Sequence, residues 1–450
     1  MRAQTLSMSE HPGGFLLWLS ALQWFGFMLT SCLTIPIVLA HDLGLSIAGT
    51  SMYIAKTLLA CGAIAIAQVW WGHRLPILEG PSGLWWGVFL VLIQTTDQVH
   101  GNIYLMQRDL EMGLIISGLV LVLLVVFRLM GRVAALFNPV VTGTYLILLT
   151  LQMASSLISG VFGVGYMGRT TVNWKIAVLS AAIIVLVYVI TSSAQGKLRS
   201  FSILLGLGLG WVVFAVFGLT KFRTGPVPWI QLPQTFPFGA PHFQLGIVLT
   251  CVVTIVVLLS NLVASMNAFD ELLETPLSSS ATRRGTLFTG LGTMLSGLFG
   301  VIGNVPITSS AGFISLTRIA SKRPFIIAAS ALVVLGFLPK IDLMAANLPA
   351  PVAYSILLII FAEMFGVGIK MLRQGLSSQR DMMGVGIAIV AGMGFQWIPS
   401  SAWGSVSTSF AYLLHNGLII GVIIILLFQH AIPRGKVQRE ATPLNRDTNL

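Results

Sequence analysis

The sequence predicts an all-α polytopic membrane protein of fourteen segments in two groups of seven, and three observations lead there. Of the residues, 56% are hydrophobic and only 9% charged, with a mean hydropathy of +0.90, which excludes a soluble globular chain. Apolar runs of about the length of a bilayer crossing recur along the whole chain. Two of them are broken by glycine and proline, at Glu79-Gly80-Pro81-Ser82-Gly83 and at Asn304-Val305-Pro306-Ile307-Thr308-Ser309-Ser310-Ala311-Gly312. Barrel strands would be about ten residues long and alternate in polarity. These runs are longer and uniformly apolar, so helices, which satisfy their own backbone groups in lipid, are the default.

Taken in order, the runs fall near 15–40, 47–71, 76–94, 112–131, 134–153, 173–191, 201–219, 244–263, 284–302, 304–317, 324–339, 351–372, 382–396 and 407–429. The first starts at Phe15 with no small-residue cleavage site behind it, so it reads as a span and not as a removable signal. The third and the tenth are the broken ones, each third in its group of seven, as a duplicated chain requires. Gly and Pro stop a helix. Backbone freed in this way survives in a membrane only inside protein or beside a cavity, and a matched pair of breaks points to a midplane binding site. The stretches 95–111, 154–172, 220–243 and 264–283 read as loops, too short to bury a core of their own. Within them 225–241, rich in Pro and aromatic residues, reads as the linker between the two groups, with a lid as the second reading. The tail after Pro433 is polar and charged.

The net charge of +11 is topological. With the N-terminus inside, eighteen of the 25 basic residues fall on inner loops. Only Arg108, Arg169, Lys175, Lys221, Arg223 and Lys340 fall outside, and Lys56 lies in a span. That excess places both termini in the cytoplasm and leaves no basic surface for nucleic acid. Cys32, Cys61 and Cys251 all sit in apolar runs and read as small core hydrophobes. No zinc pattern, phosphate loop or nucleophile elbow occurs, so no enzyme, metal or cofactor is expected.

The run Leu78-Glu79-Gly80-Pro81-Ser82-Gly83-Leu84-Trp85-Trp86-Gly87 is one of several quotable motifs. Others are Gln23-Trp24 with Pro36 further along the first segment, Ser296-Gly297-Leu298-Phe299-Gly300, and the stretch from Gly312 to Thr317-Arg318. Together these resemble the nucleobase/ascorbate transporter (nucleobase:cation symporter-2) family of uracil, xanthine and uric acid permeases, nearest to a divergent bacterial branch of purine permeases. The resemblance implies two inverted repeats of seven segments. A core domain would take residues 1–133 and 244–345 (segments 1–4 and 8–11). A gate domain would take 134–224 and 346–432 (segments 5–7 and 12–14), with a linker at 225–243 and a cytoplasmic tail at 433–450. Segments 3 and 10 would each give a short strand and a half helix whose N-terminus offers free amides to a flat heterocycle. It also implies a plasma-membrane permease for a nucleobase, a purine such as xanthine, urate or guanine foremost. Alternating access, H+ or Na+ as coupling ion, and a homodimer through the gate domain belong to the same expectation. The alternative is an anion carrier or channel of the same architecture, of the sulfate or bicarbonate kind.

The side chains depart from the family pattern. Its usual acidic or amide residue in segment 10 falls on Ser309 and its usual Asn on Ser310, while the glycine is kept as Gly312. Its usual segment 8 glutamate falls on Asn261 or Ser260. Ser and Asn cannot titrate near neutral pH, so proton symport by the family's acids is in doubt. Only Glu79 and Glu363 remain as acids within the predicted spans, and an ionisable group at that depth is a functional candidate.

Glu79 is read in two ways. Either it replaces the missing acids, facing the base or exchanging the proton, or it caps free amides at the break or pairs with Arg74 or His73. Glu363 reads as an interhelical hydrogen-bonding residue. Gln23 reads equally as a substrate contact or as glue between helices. One of Trp85 and Trp86 is expected in the core, and His415, the histidine inside a span, reads as structural. The expected substrate-binding set is Gln23, Glu79, Gly80, Ser82, Gly83, Asn261, Thr308, Ser309, Ser310 and Gly312.

Overall fold

The computed structural model describes residues 13–98, 101–168, 170–193, 202–220, 222–273, 278–399, 402, 414 and 416–432. The expectations for the tail, for the first part of segment 14 with His415, and for the side chain of Asn261 fall outside the described residues. In chain order the elements are α1 (Gly14–Asp42), α2 (Ile47–Trp70), β1 (Glu79–Pro81), α3 (Gly83–Gln98), α4 (Ile103–Val126), α5 (Met130–Leu136), α6 (Pro139–Val161), α7 (Trp174–Ser193) and α8 (Ser202–Val216). Then come α9 (Leu245–Leu273), α10 (Ser279–Leu298), β2 (Asn304–Pro306), α11 (Ser309–Thr317), α12 (Lys322–Leu335), α13 (Pro339–Ala346), α14 (Ala350–Gly375), α15 (Gln379–Gln396) and α16 (Gly417–Leu426). Many starts are written locally. Ser46, Asn102, Asn138, Ser278, Ser378 and Asn416 each accept from an amide in the first turn that follows, which supplies a partner that the helix itself cannot.

Among the described residues, six helices are long and apolar enough to cross a membrane, or seven if α12 and α13, bent by 91°, form one broken span. The run near 324–339 is therefore two helices, the second opened by Pro339. Two expected loops shrink, because α6 continues to Val161 and α9 to Leu273.

The expected loop 95–111 is corrected further. Asn102 caps α4 at Ile103, and Gln107, Asp109 and Glu111 lie buried in its first turns. A hydropathy window rejects such a turn, although here Asp109 meets His242 and Oε1 of Glu111 accepts from the Phe238 amide. Glu79 and Glu363 are thus not the only acids within a candidate span.

Helix contacts fall into two sets. In one, α4 lies along α9 and α10, α2 along α12 and α13, and α1 against α2 and α12. In the other, α14 packs on α6, α7 and α8, and α16 on α15 and α6. Where α4 crosses α10, a Cβ on Gly118 would stand 2.5 Å from the carbonyl oxygen of Gly290. Only glycine lets the two backbones approach that closely. Trp24 of α1 packs on Phe313 of α11 and Phe325 of α12, with ring centroids 4.5 and 5.0 Å apart.

The stretch 225–241 has neither helix nor strand and crosses the first set as a strap. Gln231 and Phe236 donate their amides to the carbonyls of Phe337 and Leu298, and Nε of Arg108 donates to the carbonyl of Ala240 at 2.6 Å.

The two broken crossings meet. β1 and β2 pair antiparallel, with Glu79 opposite Pro306, Gly80 opposite Val305 and Pro81 opposite Asn304, and all six residues are buried. Ile307 N–H donates to Leu78 O at 2.8 Å, which extends the ladder by one rung. Neither segment could leave its amides bare in lipid, and each supplies what the other lacks.

Candidate functional site

Each strand runs straight into a helix, β1 into α3 and β2 into α11, so two helix N-termini leave the same buried ladder. Behind the ladder lies a polar network. Oε1 of Glu79 accepts from Nε2 of Gln68 at 2.6 Å and from Oγ1 of Thr289 at 2.8 Å, and Oε2 accepts from Nδ2 of Asn304 at 3.4 Å. Ser296 in turn donates to Oδ1 of Asn304 at 3.1 Å. Glu79 is fully buried, and every one of these donors is neutral.

Ion pairs among the described residues join His41 to Asp42, His242 to Asp109 and Arg380 to Asp381. Neither Arg74 nor His73 pairs with Glu79. His73, in the turn between α2 and β1, accepts instead from the Leu75 amide at Nδ1. Burial, together with the charge of Lys322, pushes its pKa down to about 3, so its ring is neutral near pH 7.

Most of the expected site residues gather at this ladder. Thr308, Ser309 and Gly312 lie exposed on the first turns of α11, and a Cβ at Gly312 would meet nothing within 4 Å. Ser310 is buried and accepts from the Leu78 amide at 3.1 Å, clipping α11 to the other break. Ser82 accepts from the Leu84 amide at the start of α3. Gly83 faces α14, where its Cβ would stand 3.6 Å from the ring of Phe361, and Gly80 lies under Ile307. Gln23 on α1 is half-buried, next to the Trp24 that packs on α11.

Trp85 and Trp86 are both fully buried. Glu363 lies on an exposed face of α14.

Sequence reasoning missed Gln68, Thr289 and Ser296, and also Ser265 on α9. Ser265 donates to the carbonyl of Pro306 at 3.1 Å and shares a 2.6 Å hydrogen bond with Thr308. A single polar residue in an apolar run gives no signal of which way it faces.

Polar bonds also cross between the two helix sets. Tyr354 of α14 donates to Oδ1 of Asp42 at the end of α1, and Nε1 of Trp86 donates to Oδ2 of the same carboxylate at 3.3 Å. Gln94 of α3 meets Ser156 of α6 and Gln396 of α15 at 2.7 and 3.1 Å. A cavity of about 270 Å³ opens near the end of α1, lined among others by His41, Tyr166, Arg223 and Asn347.

Long apolar helices interrupted at two places by a shared strand pair define a multi-pass membrane transporter. The transmembrane domain of BicA, a cyanobacterial bicarbonate transporter, has this fold, with TM-score 0.59 and 15% identity over 92% of this chain and 98% of that one. So has murine Slc26a9, an anion transporter in the inward-facing state, with TM-score 0.61 and 10% identity over 93% of this chain and 69% of that one.

The model of a permease family, Xan_ur_permease, matches residues 16–381, and the chain belongs to that family, the nucleobase/ascorbate transporters. YwdJ of Bacillus subtilis, provisionally named a purine permease, is 33% identical over 90% of this chain and 93% of its own length. The uric acid permease PucJ of the same organism is 27% identical over 84% of each chain. Its xanthine permease is 24% identical over 92% of this chain and 94% of its own length. The family consists of permeases, not enzymes.

Proposed function

We propose that the chain is a secondary-active permease of the plasma membrane that moves a nucleobase, a purine such as xanthine, urate or guanine, by alternating access. The observation that carries this is the joining of the two breaks. A buried ladder holds two helix N-termini together and leaves the neutral rim of Thr308, Ser309 and Gly312 open beside them. Exposed hydroxyls beside two helix N-termini suit a flat ring edged with carbonyl and imide groups. The purine and uric acid names of its relatives point the same way. The fold's likeness to anion carriers, at 15% identity or less, concerns architecture alone.

In this reading fourteen segments form two inverted repeats, with the core at 1–133 and 244–345, the gate at 134–224 and 346–432, the linker at 225–243 and the tail at 433–450. Helix contacts support the division. Exchanging each helix for its counterpart seven segments on turns the α4–α10 contact into α12–α2, α1–α12 into α9–α4, and α7–α8 into α15–α16, and each of these is a contact.

The base lies against Thr308, Ser309, Gly312 and Gly83, with Ser265 and Gln23 at its margin. Gly80, Ser82 and Ser310 shape the ladder. Glu79, turned toward Gln68, Thr289 and Asn304, exchanges the coupling proton from behind the site. Movement of core against gate makes and breaks the bonds at Asp42 and Gln94. Both termini are cytoplasmic, and two copies pair through their gates. Competition of labelled xanthine for uptake by urate, guanine, uracil and sulfate tests the assignment: purines compete and sulfate does not. Competition by sulfate alone would instead support an anion carrier.

A further inference from the structure

Away from the strand pair, α4 holds a second buried carboxylate. Glu111 is 1% exposed, and Gln107, one turn earlier on the same helix face, is 3% exposed. Oε1 of Glu111 accepts from the Phe238 amide of the strap at 3.4 Å. Among the described residues, its Oε2 and Oε1 of Gln107 have no hydrogen-bond partner. Both side chains line one cavity of about 10 Å³, closed by Phe89, Phe238, Gly300 and Val301.

Two buried acceptors one helical turn apart, beside one small void and without a donor among the described residues, is a costly arrangement, and a single hydrogen on one of them removes the cost. Lys56 of α2 acts on Glu111 through space without forming a direct ion pair.

The other titratable or charged groups around Glu111 come from several elements. Tyr53 of α2 lies in the same apolar cluster as Phe89 and Val301, and Cys251 lies on α9 against Gly113. Arg108 and Asp109 lie on α4 itself, and His242 meets Asp109 at 2.6 Å. Packed at Glu111 from α10 is Gly297, which has no side chain to titrate.

We propose that Glu111 is a proton-exchange site, distinct from Glu79, at which a proton bound to Oε2 is donated to Oε1 of Gln107 beneath the strap. The O–H bond forms and breaks with a proton from water, and no other bond changes. Its use in coupling rests on the permease reading above, but the protonated state itself is measurable on the purified full chain.

Difference infrared spectra across neutral pH test it. A carboxylic C=O band present in the wild type is lost in Glu111→Gln, kept in Glu79→Gln, and moved to higher frequency in Gln107→Leu, where the acceptor is gone. A wild type without such a band overturns the proposal, as does a spectrum in which Glu111→Gln removes no band and Gln107→Leu shifts none, or one whose single band is lost only in Glu79→Gln. A sodium-dependent rise in Tm that Glu111→Gln abolishes, with no C=O band, also overturns it and makes the cavity a metal-cation site. Purine uptake by the same preparations separates the two readings. Failure of the wild type to transport any purine refutes the permease assignment and leaves the infrared result standing.

Discussion

Asn304 on β2 donates to Oε2 of Glu79 on β1 at 3.4 Å, so the two broken crossings are tied by side chains as well as by backbone. Because Gln68 and Thr289 also donate to this carboxylate, removing it takes the acceptor from Thr289 and Asn304, while Gln68 keeps the carbonyl of Gly285 at 3.0 Å. Glu79→Ala is expected to destabilise the protein by about 3 kcal/mol, read as a lowered Tm in detergent. Glu79→Gln keeps the shape, loses less stability, and yields uptake that no longer varies with pH. Unchanged pH dependence and unchanged affinity in Glu79→Gln would remove Glu79 from the mechanism.

The Tyr354 hydroxyl and the Trp86 indole converge on Asp42, from α14 and α3. A hydrogen bond to a buried carboxylate contributes about 1.5–3 kcal/mol, which is roughly ten- to a hundredfold in a two-state equilibrium. Tyr354→Phe should therefore shift the protein toward the state in which this seam is open. Labelling of a cysteine placed at His41 would rise by that order, and unaltered labelling would show that the bond does not set the balance.

Gly118 and Gly290 set the distance between α4 and α10. Gly118→Ala pushes a methyl group into a carbonyl oxygen and is expected to cost about 1–3 kcal/mol. Gly312→Ala meets open space and leaves Tm unchanged. Thermal unfolding of the two variants side by side checks the contrast.

His73 gives a pH effect whose sign is fixed. Its folded pKa of about 3 lies below the ordinary 6.5, so the unfolded chain takes up the proton first as pH falls. The stability this histidine contributes is fully present above about pH 6.5 and is lost progressively toward about pH 3. His73→Gln should flatten the fall of Tm between about pH 6 and 4, and an unchanged slope would assign acid sensitivity to other groups.

Much of the architecture is legible in the chain because the decisive signals are local. Gly80-Pro81 and Val305-Pro306 interrupt apolar runs and mark both breaks without any knowledge of contacts. Less is legible at the site. Thr289 and Ser296 look like any hydroxyl that bonds back to its own helix, as Thr293 does to Thr289 O, and only the meeting of α2, α10 and the strands shows what they face. Glu111 is hidden for another reason. Averaging over a window assigns the polar turn Gln107 to Glu111 to a loop, whereas Asn102 caps it into a helix and the strap covers it.

The central claim is that a purine rests on the rim of α11 beside the paired breaks. Cys32, Cys61 and Cys251 are buried, so a cysteine introduced at exposed Ser309 can be labelled against a low background. In Ser309→Cys, a membrane-permeant maleimide should react readily, and xanthine or urate, but not sulfate, should protect the thiol at concentrations that saturate uptake. Full reactivity of that thiol in the presence of a purine that the same variant still transports would contradict the account.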